Sequence, residues 1–248
     1  MHLLEVQGLT KDFRGFRAVD RVDLAVAEGT VHALVGPNGA GKTTLFNMLT
    51  GFVKPTAGQI RFAGEDVTGL PPERIARRRM ARSFQITSLF EQLTALEHVA
   101  LALQSATGLG YRFWQSDRVL DQFKERALAI LGEVGLAEFA GRPAESLPYG
   151  QKRALEIALV LALDPRLMLL DEPTSGMSLE DVERMIALIR RVREGRTVVM
   201  VEHNMGVVSE LADRVTVLQH GAVLAEGRYA EVRDDPRVIE AYLGQTHA

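Results

Sequence analysis

Gly36-Pro37-Asn38-Gly39-Ala40-Gly41-Lys42-Thr43-Thr44 is the stretch on which the reading of the whole chain turns. It fits the spacing G-x-x-x-x-G-K-[ST], a phosphate-binding loop. A nucleoside triphosphate carries several negative charges, so its cradle must offer many donors at close range. Gly36, Gly39 and Gly41 let the backbone take conformations that a side chain forbids, and turn N–H groups inward. Lys42 adds a point charge for the β- and γ-phosphates, and the Thr43 hydroxyl is suited to Mg²⁺. The flanks agree with this reading. Val31–Val35 reads as a buried strand, and Leu45–Leu49 as a helix whose N-terminus favours an anion.

Composition sets the outer bounds. The 248 residues are 46% hydrophobic and 25% charged, as in an ordinary globular protein of one large or two small domains. A net charge of −3 gives no reason to expect nucleic acid as a partner. There is no cysteine, so disulfides and thiol chemistry are excluded. Met1-His2-Leu3-Leu4-Glu5 lacks the shape of a signal peptide. The apolar run Ile157–Leu163 falls far short of the roughly 20 residues of a membrane span. A cytoplasmic protein is expected.

Residues 3–8 and 18–26 alternate apolar and polar positions, as half-buried strands do, with Phe13, Gly15 and Phe16 between them. Gln59–Ala63 reads as a further short strand. The opening third is thus expected to be a mainly antiparallel sheet beside a nucleotide-binding core. Pro71-Pro72 opens a helix near Glu73, and Arg74, Arg77, Arg78, Arg79 and Arg82 give it a basic, solvated face. Ala81–Phe84 reads as a strand ending at Gln85.

Residues 95–146 read as mostly helical. Leu120, Phe123, Ala127, Ile130, Leu131 and Val134 share one face, as in an inserted helical subdomain. Tyr111–Trp114 within it is either core packing or a contact for another protein. Beyond lie a helix over Gly150–Leu163, a strand over Leu167–Leu170 and a helix over Leu179–Val192, with Val182, Met185, Ile186 and Ile189 inward. A strand over Arg196–Val201, a hairpin around His220-Gly221 and a helical end over Tyr229–Leu243, broken near Pro236, complete the chain. Strands alternating with helices predict a mostly parallel α/β core.

A phosphate-binding loop alone names no function. The second signal is the apolar run Leu167–Leu170 ending in Asp171-Glu172. A buried strand can hold Asp171 at its tip to orient Mg²⁺. Glu172, one position on, can act as general base on water. Acids also end strands for purely structural reasons, but the upstream loop favours the chemical reading.

With these motifs in order, the chain resembles the ATP-binding subunit of an ABC transporter over essentially its whole length. The resemblance implies an α/β P-loop NTPase core with a mostly parallel sheet, an N-terminal antiparallel β subdomain and an inserted helical subdomain. It implies one domain over 1–248, with 1–94 and 147–248 as core and about 95–146 as the helical part. ATP and Mg²⁺ are the implied cofactors. Gly36, Pro37, Asn38, Gly39, Ala40, Gly41, Lys42, Thr43 and Thr44 would hold ATP, and Phe13 would stack on adenine. Gln85 matches the glutamine that senses Mg²⁺ and couples to the membrane subunits, and would join Thr43 and Asp171 at the metal. Leu147, Pro148, Tyr149, Gly150 and Gln151 match the signature that faces the partner's ATP. Glu172 matches the base, Ser175-Gly176-Met177-Ser178 occupies the D-loop, and His203 matches the histidine that contacts the γ-phosphate.

Within the family the chain looks most like the ATPases of branched-chain amino acid importers, with urea importers next. Tyr149, Gly176-Met177 and the tail Asp235–Gly244 carry that likeness. The implied partners are a second ATP-binding subunit, identical or not, and transmembrane permease subunits on the cytoplasmic face of the membrane. A periplasmic or surface substrate-binding protein is implied indirectly. Lipid export, or a soluble role in translation or DNA maintenance, are the competing readings. The single phosphate-binding loop and the lack of a long heptad run count against the last. Two positions depart from the family. Pro148 stands where serine is common, and proline offers neither hydroxyl nor N–H. Ser178 stands where aspartate is common, which puts the usual cross-subunit contact there in question.

Overall fold

The structure is a computed structural model, and it describes residues 1–83, 89–106 and 123–243. Gln85, Phe84, Leu120 and Tyr111–Trp114 lie outside the described residues.

Two sheets carry the fold. The first is antiparallel, built from β1 (His2–Phe13), β2 (Phe16–Ala27), β4 (Ala57–Phe62) and β5 (Glu65–Asp66) in the order β2-β1-β4-β5. The expected strands are present but run further, up to the turn at Arg14-Gly15. Phe13 and Phe16 are therefore strand residues that face each other across the hairpin, rather than loop residues.

The second sheet takes β3 (Val31–Val35), β6 (Met80–Arg82), β7 (Leu167–Asp171), β8 (Thr197–Val201), β9 (Arg214–Gln219) and β10 (Ala222–Gly227). Its order is β10-β9-β3-β8-β7-β6, parallel throughout except for the β9–β10 hairpin. Strands β3, β7 and β8 are buried at every position, as unbroken apolar runs in a parallel sheet should be. Alternation along each strand divides the core. Met168 and Leu170 of β7 enter the cluster on the helical side, whereas Leu167 and Leu169 enter the cluster that the antiparallel sheet completes.

Helix α1 (Lys42–Leu49) sits between the two sheets, with Leu45, Phe46, Met48 and Leu49 buried. The other face of the parallel sheet is covered by α3 (Ala95–Ala106), α4 (Lys124–Glu133), α5 (Tyr149–Ala162), α6 (Leu179–Val192) and α7 (Met205–Leu211). The stripe expected over 120–134 is inward at Ala127, Ile130, Leu131 and Val134. Helix α6 spans the predicted residues, because Ser178 caps it and Met185, Ile186 and Ile189 face inward. Helix α7 was not expected from the sequence. Asn204 caps it, accepting from the Gly206 and Val207 amides. The chain closes with α8 (Tyr229–Arg233) and α9 (Pro236–Leu243), broken before Pro236 as the sequence suggested.

The basic face predicted near 74–82 needs correction. Helix α2 (Pro72–Ala76) is short, and Arg82 is not on it. Arg82 belongs to β6, with its side chain 9% exposed and paired to Asp171.

Candidate functional site

The loop after β3 is forced into its shape. Gly36 has φ +147°, and a Cβ there would stand 2.1 Å from the Leu218 carbonyl oxygen. Gly41 has φ +99° and presses on the Ala18 carbonyl in the same way, at 2.5 Å. Neither position admits a side chain. Gly41 is the N-cap of α1, so the first helical amides of Lys42, Thr43 and Thr44 open toward the loop. That end carries partial positive charge.

Lys42 folds back over its own loop. Its Nζ donates to the Gly36 carbonyl at 2.6 Å and to the Pro37 carbonyl at 3.0 Å. Burial holds its pKa below the usual lysine value, and the nearby Glu172 and Asp171 carboxylates oppose that shift. Thr43 is exposed at the head of the helix.

Asp171 ends β7 beside Val201 of β8. Arg82 Nη2 donates to Asp171 Oδ2 at 2.6 Å, while Arg82 Nη1 donates to Asn47 Oδ1 at 2.6 Å and Thr50 Oγ1 at 3.3 Å. One guanidinium thus ties the tip of β7 to α1. Glu172 follows at φ +47°, a strained value for a residue with a side chain. Its amide donates to the Val201 carbonyl, and its own carbonyl accepts from the Ser175 amide at 3.1 Å. His203 Nδ1 lies 3.9 Å from Glu172 Oε1, and the histidine is 58% exposed.

Sequence reading gave no role to Glu202, which is fully buried. Its Oε1 accepts from the Thr174 amide and hydroxyl at 3.1 and 2.5 Å. Its Oε2 accepts from the His203 and Asn204 amides. The carboxylate thereby pins the turn after Glu172 to the turn carrying His203. A charged residue closing an apolar strand was the available signal.

The signature stretch occupies the start of α5, where Pro148 is the N-cap with no side-chain bond. Its contacts run to Ser175 and Asp181, whereas loop 36–44 leans on Ala18, Leu218 and Gly221. The two stretches therefore stand apart within one chain. Ser178 acts as a cap, accepting from the Asp181 amide and donating to its carboxylate. Phe13 is 44% exposed at the hairpin end, with Lys11 Nζ 4.9 Å over its ring.

This frame of loop, acidic strand tip and following histidine meets the comparisons with known proteins. Residues 19–175 match the family described as ABC transporter. The chain belongs to that family.

Residues 222–248 match the description branched-chain amino acid ATP-binding cassette transporter. The ABC protein BraF of Pseudomonas aeruginosa, a high-affinity branched-chain amino acid transport ATP-binding protein, is 43% identical over 98% of each chain. Among solved ABC structures, the ADP conformation of the cassette MJ1267 aligns with a TM-score of 0.89. It is 29% identical and covers 98% of this chain and 99% of that one. A dimeric post-hydrolysis state of the cassette MJ0796, bound to ADP and Pi, aligns with a TM-score of 0.76. It is 28% identical over 91% of this chain and 98% of that one.

Proposed function

We infer that this chain is the ATP-hydrolysing subunit of a membrane importer for branched-chain or related amino acids. The observation that carries the reading is one convergence. Lys42 lies buried near Asp171 and Glu172, and His203 stands 3.9 Å from Glu172. Family membership and the 222–248 match add the transport role and favour amino acids over urea or lipid.

The loop Gly36–Thr44 would wrap the phosphates of ATP with its amides, and Lys42 would leave its carbonyl partners for the β- and γ-oxygens. Glu172 would take a proton from the attacking water. His203 would donate to the γ-phosphate as its charge develops. Phe13 offers an exposed ring for adenine. Thr43 hydroxyl and Asp171 carboxylate oxygens are the hard donors that Mg²⁺ prefers. Among the described residues no cluster of three or more acidic, histidine or cysteine side chains is suited to a metal. Two protein oxygens completed by phosphate and water fit Mg²⁺ better than such a cage. When bound, Mg²⁺ neutralises charge on the phosphates. Gln85 is proposed as a further ligand.

We further propose that the chain acts as one ABC-type ATP-binding domain, with about 95–146 as its helical part. It pairs with a second ATP-binding subunit, so that Leu147–Gln151 covers the partner's nucleotide. No helix among the described residues is long and apolar enough to cross a membrane. The pair would dock on permease subunits at the cytoplasmic face, fed indirectly by a substrate-binding protein. Phosphate release from ATP tests the assignment. Glu172→Gln should bind ATP and lose turnover by roughly 10²-fold or more. Normal turnover in that protein would overturn the role of Glu172.

A further inference from the structure

Tyr149 does more than occupy a place in the signature. Its hydroxyl donates to the Ser175 carbonyl at 2.9 Å and accepts from Arg153 Nε at 3.1 Å. The Arg153 guanidinium also lies 5.5 Å from the Tyr149 ring centroid. Arg153 is in turn fixed by Glu156, at 3.0 Å, and both side chains are nearly out of water. A hydroxyl that both donates and accepts, with its donor locked by a buried ion pair, has little freedom to turn away. A second contact lies alongside. A Cβ on Gly150 would stand 2.8 Å from Asp181 Oδ1, so the first turns of α5 and α6 meet without a gap.

The acceptor matters because of what it belongs to. Ser175 closes the turn that begins at Glu172, its amide donating to the Glu172 carbonyl. Glu172 sits at positive φ, so its side-chain direction depends on that turn holding. The turn is held from one side by Glu202 through Thr174. Tyr149 holds it from the other.

We propose that Tyr149 is a positioning residue that transmits the state of the signature stretch to Glu172 of the same chain, through the Ser175 carbonyl. The proposal rests on Glu172 being the base and on the signature facing the partner's ATP. Engagement of the partner's nucleotide by the start of α5 then shifts the Glu172–Ser175 turn, and the two sites fire in concert. The Tyr149 hydroxyl is bonded to Ser175 and Arg153, neither of which belongs to loop 36–44.

Tyr149→Phe keeps the ring on Arg153 and removes only the hydroxyl. Two readouts test it in the full-length protein. Amide hydrogen exchange at Ser175 and Met177, followed without nucleotide, should quicken about three- to tenfold, the effect of one lost hydrogen bond. The kcat for ATP should fall by a similar factor, with KM changed less than about twofold and the Hill coefficient moving toward one. Tyr149→Ala should go further in the same direction. Unchanged exchange overturns the link to Ser175. Faster exchange with unchanged kcat and cooperativity makes the bond structural only, and overturns the proposal. The exchange readout needs no turnover, so it stands apart from the Glu172→Gln test of the function itself.

Discussion

Arg82 and Asp171 meet at 2.6 Å with side chains 9% and 2% exposed, across 89 positions of sequence. The pair holds the strand tip at which the chemistry is proposed to begin, and Asn47 and Thr50 share the same guanidinium. Arg82→Met would strip the buried Asp171 carboxylate of its hydrogen-bonded cation. Removing one partner of such a pair costs about 3–5 kcal/mol. Arg82→Lys should recover only part of this, because a single ammonium cannot replace a planar fork aimed at three acceptors. Denaturant unfolding of the two variants measures both effects.

Lys42→Ala should bind ATP about 10- to 100-fold more weakly, the loss of a charged hydrogen-bonding partner. Its fold should be retained, since among the described residues the lysine donates to carbonyls of its own loop. Titration with a fluorescent nucleotide reads the affinity, and circular dichroism the fold.

Pro148→Ser should tighten any ATP-dependent pairing by about tenfold or more, since a hydroxyl could then reach a phosphate across the interface. The same residue would supply the side-chain cap that α5 lacks. A rise in melting temperature without nucleotide would report the cap, and sedimentation with ATP the pairing.

Acid should destabilise the protein through His32. This residue is buried in β3, and burial lowers its pKa to about 4. Its Nε2 lies 2.7 Å from Thr216 Oγ1, whose own hydrogen points to Glu226. Nε2 therefore donates, and the lowered pKa keeps the ring neutral at pH 7. The unfolded chain binds a proton more readily, so stability is full above pH 6.5 and falls as pH drops toward 4. At about 1.4 kcal/mol per unit the loss is roughly 3 kcal/mol. His32→Gln should flatten melting temperature against pH over that window.

The parts of the fold set by local pattern were legible. Helix α6 could be read from its apolar spacing, and β7 from the apolar run Leu167–Leu170 ending in an acid. Loop 36–44 could be read because glycines forced by close approach leave a fixed spacing. What stayed hidden depends on partners distant in sequence. Arg82 looked like one of a solvated basic run, because Asp171 is 89 residues away. Glu202 looked like a strand end, because Thr174 comes from another turn. Tyr149 was visible as part of the signature stretch, but its bond to Ser175 requires the start of α5 to meet the turn after Glu172. Helix α7 was missed because it has only seven residues, although Asn204 and its two amide partners marked its start.

The central claim, in its strongest form, is that two copies of this chain can clamp ATP between the loop of one and the signature of the other. Light scattering on the Glu172→Gln protein, with and without ATP and Mg²⁺, tests it most directly. The expected result is a nucleotide-dependent rise from the 27.3 kDa of one chain to twice that mass. A protein that binds ATP at one per chain and keeps the mass of a monomer would contradict it.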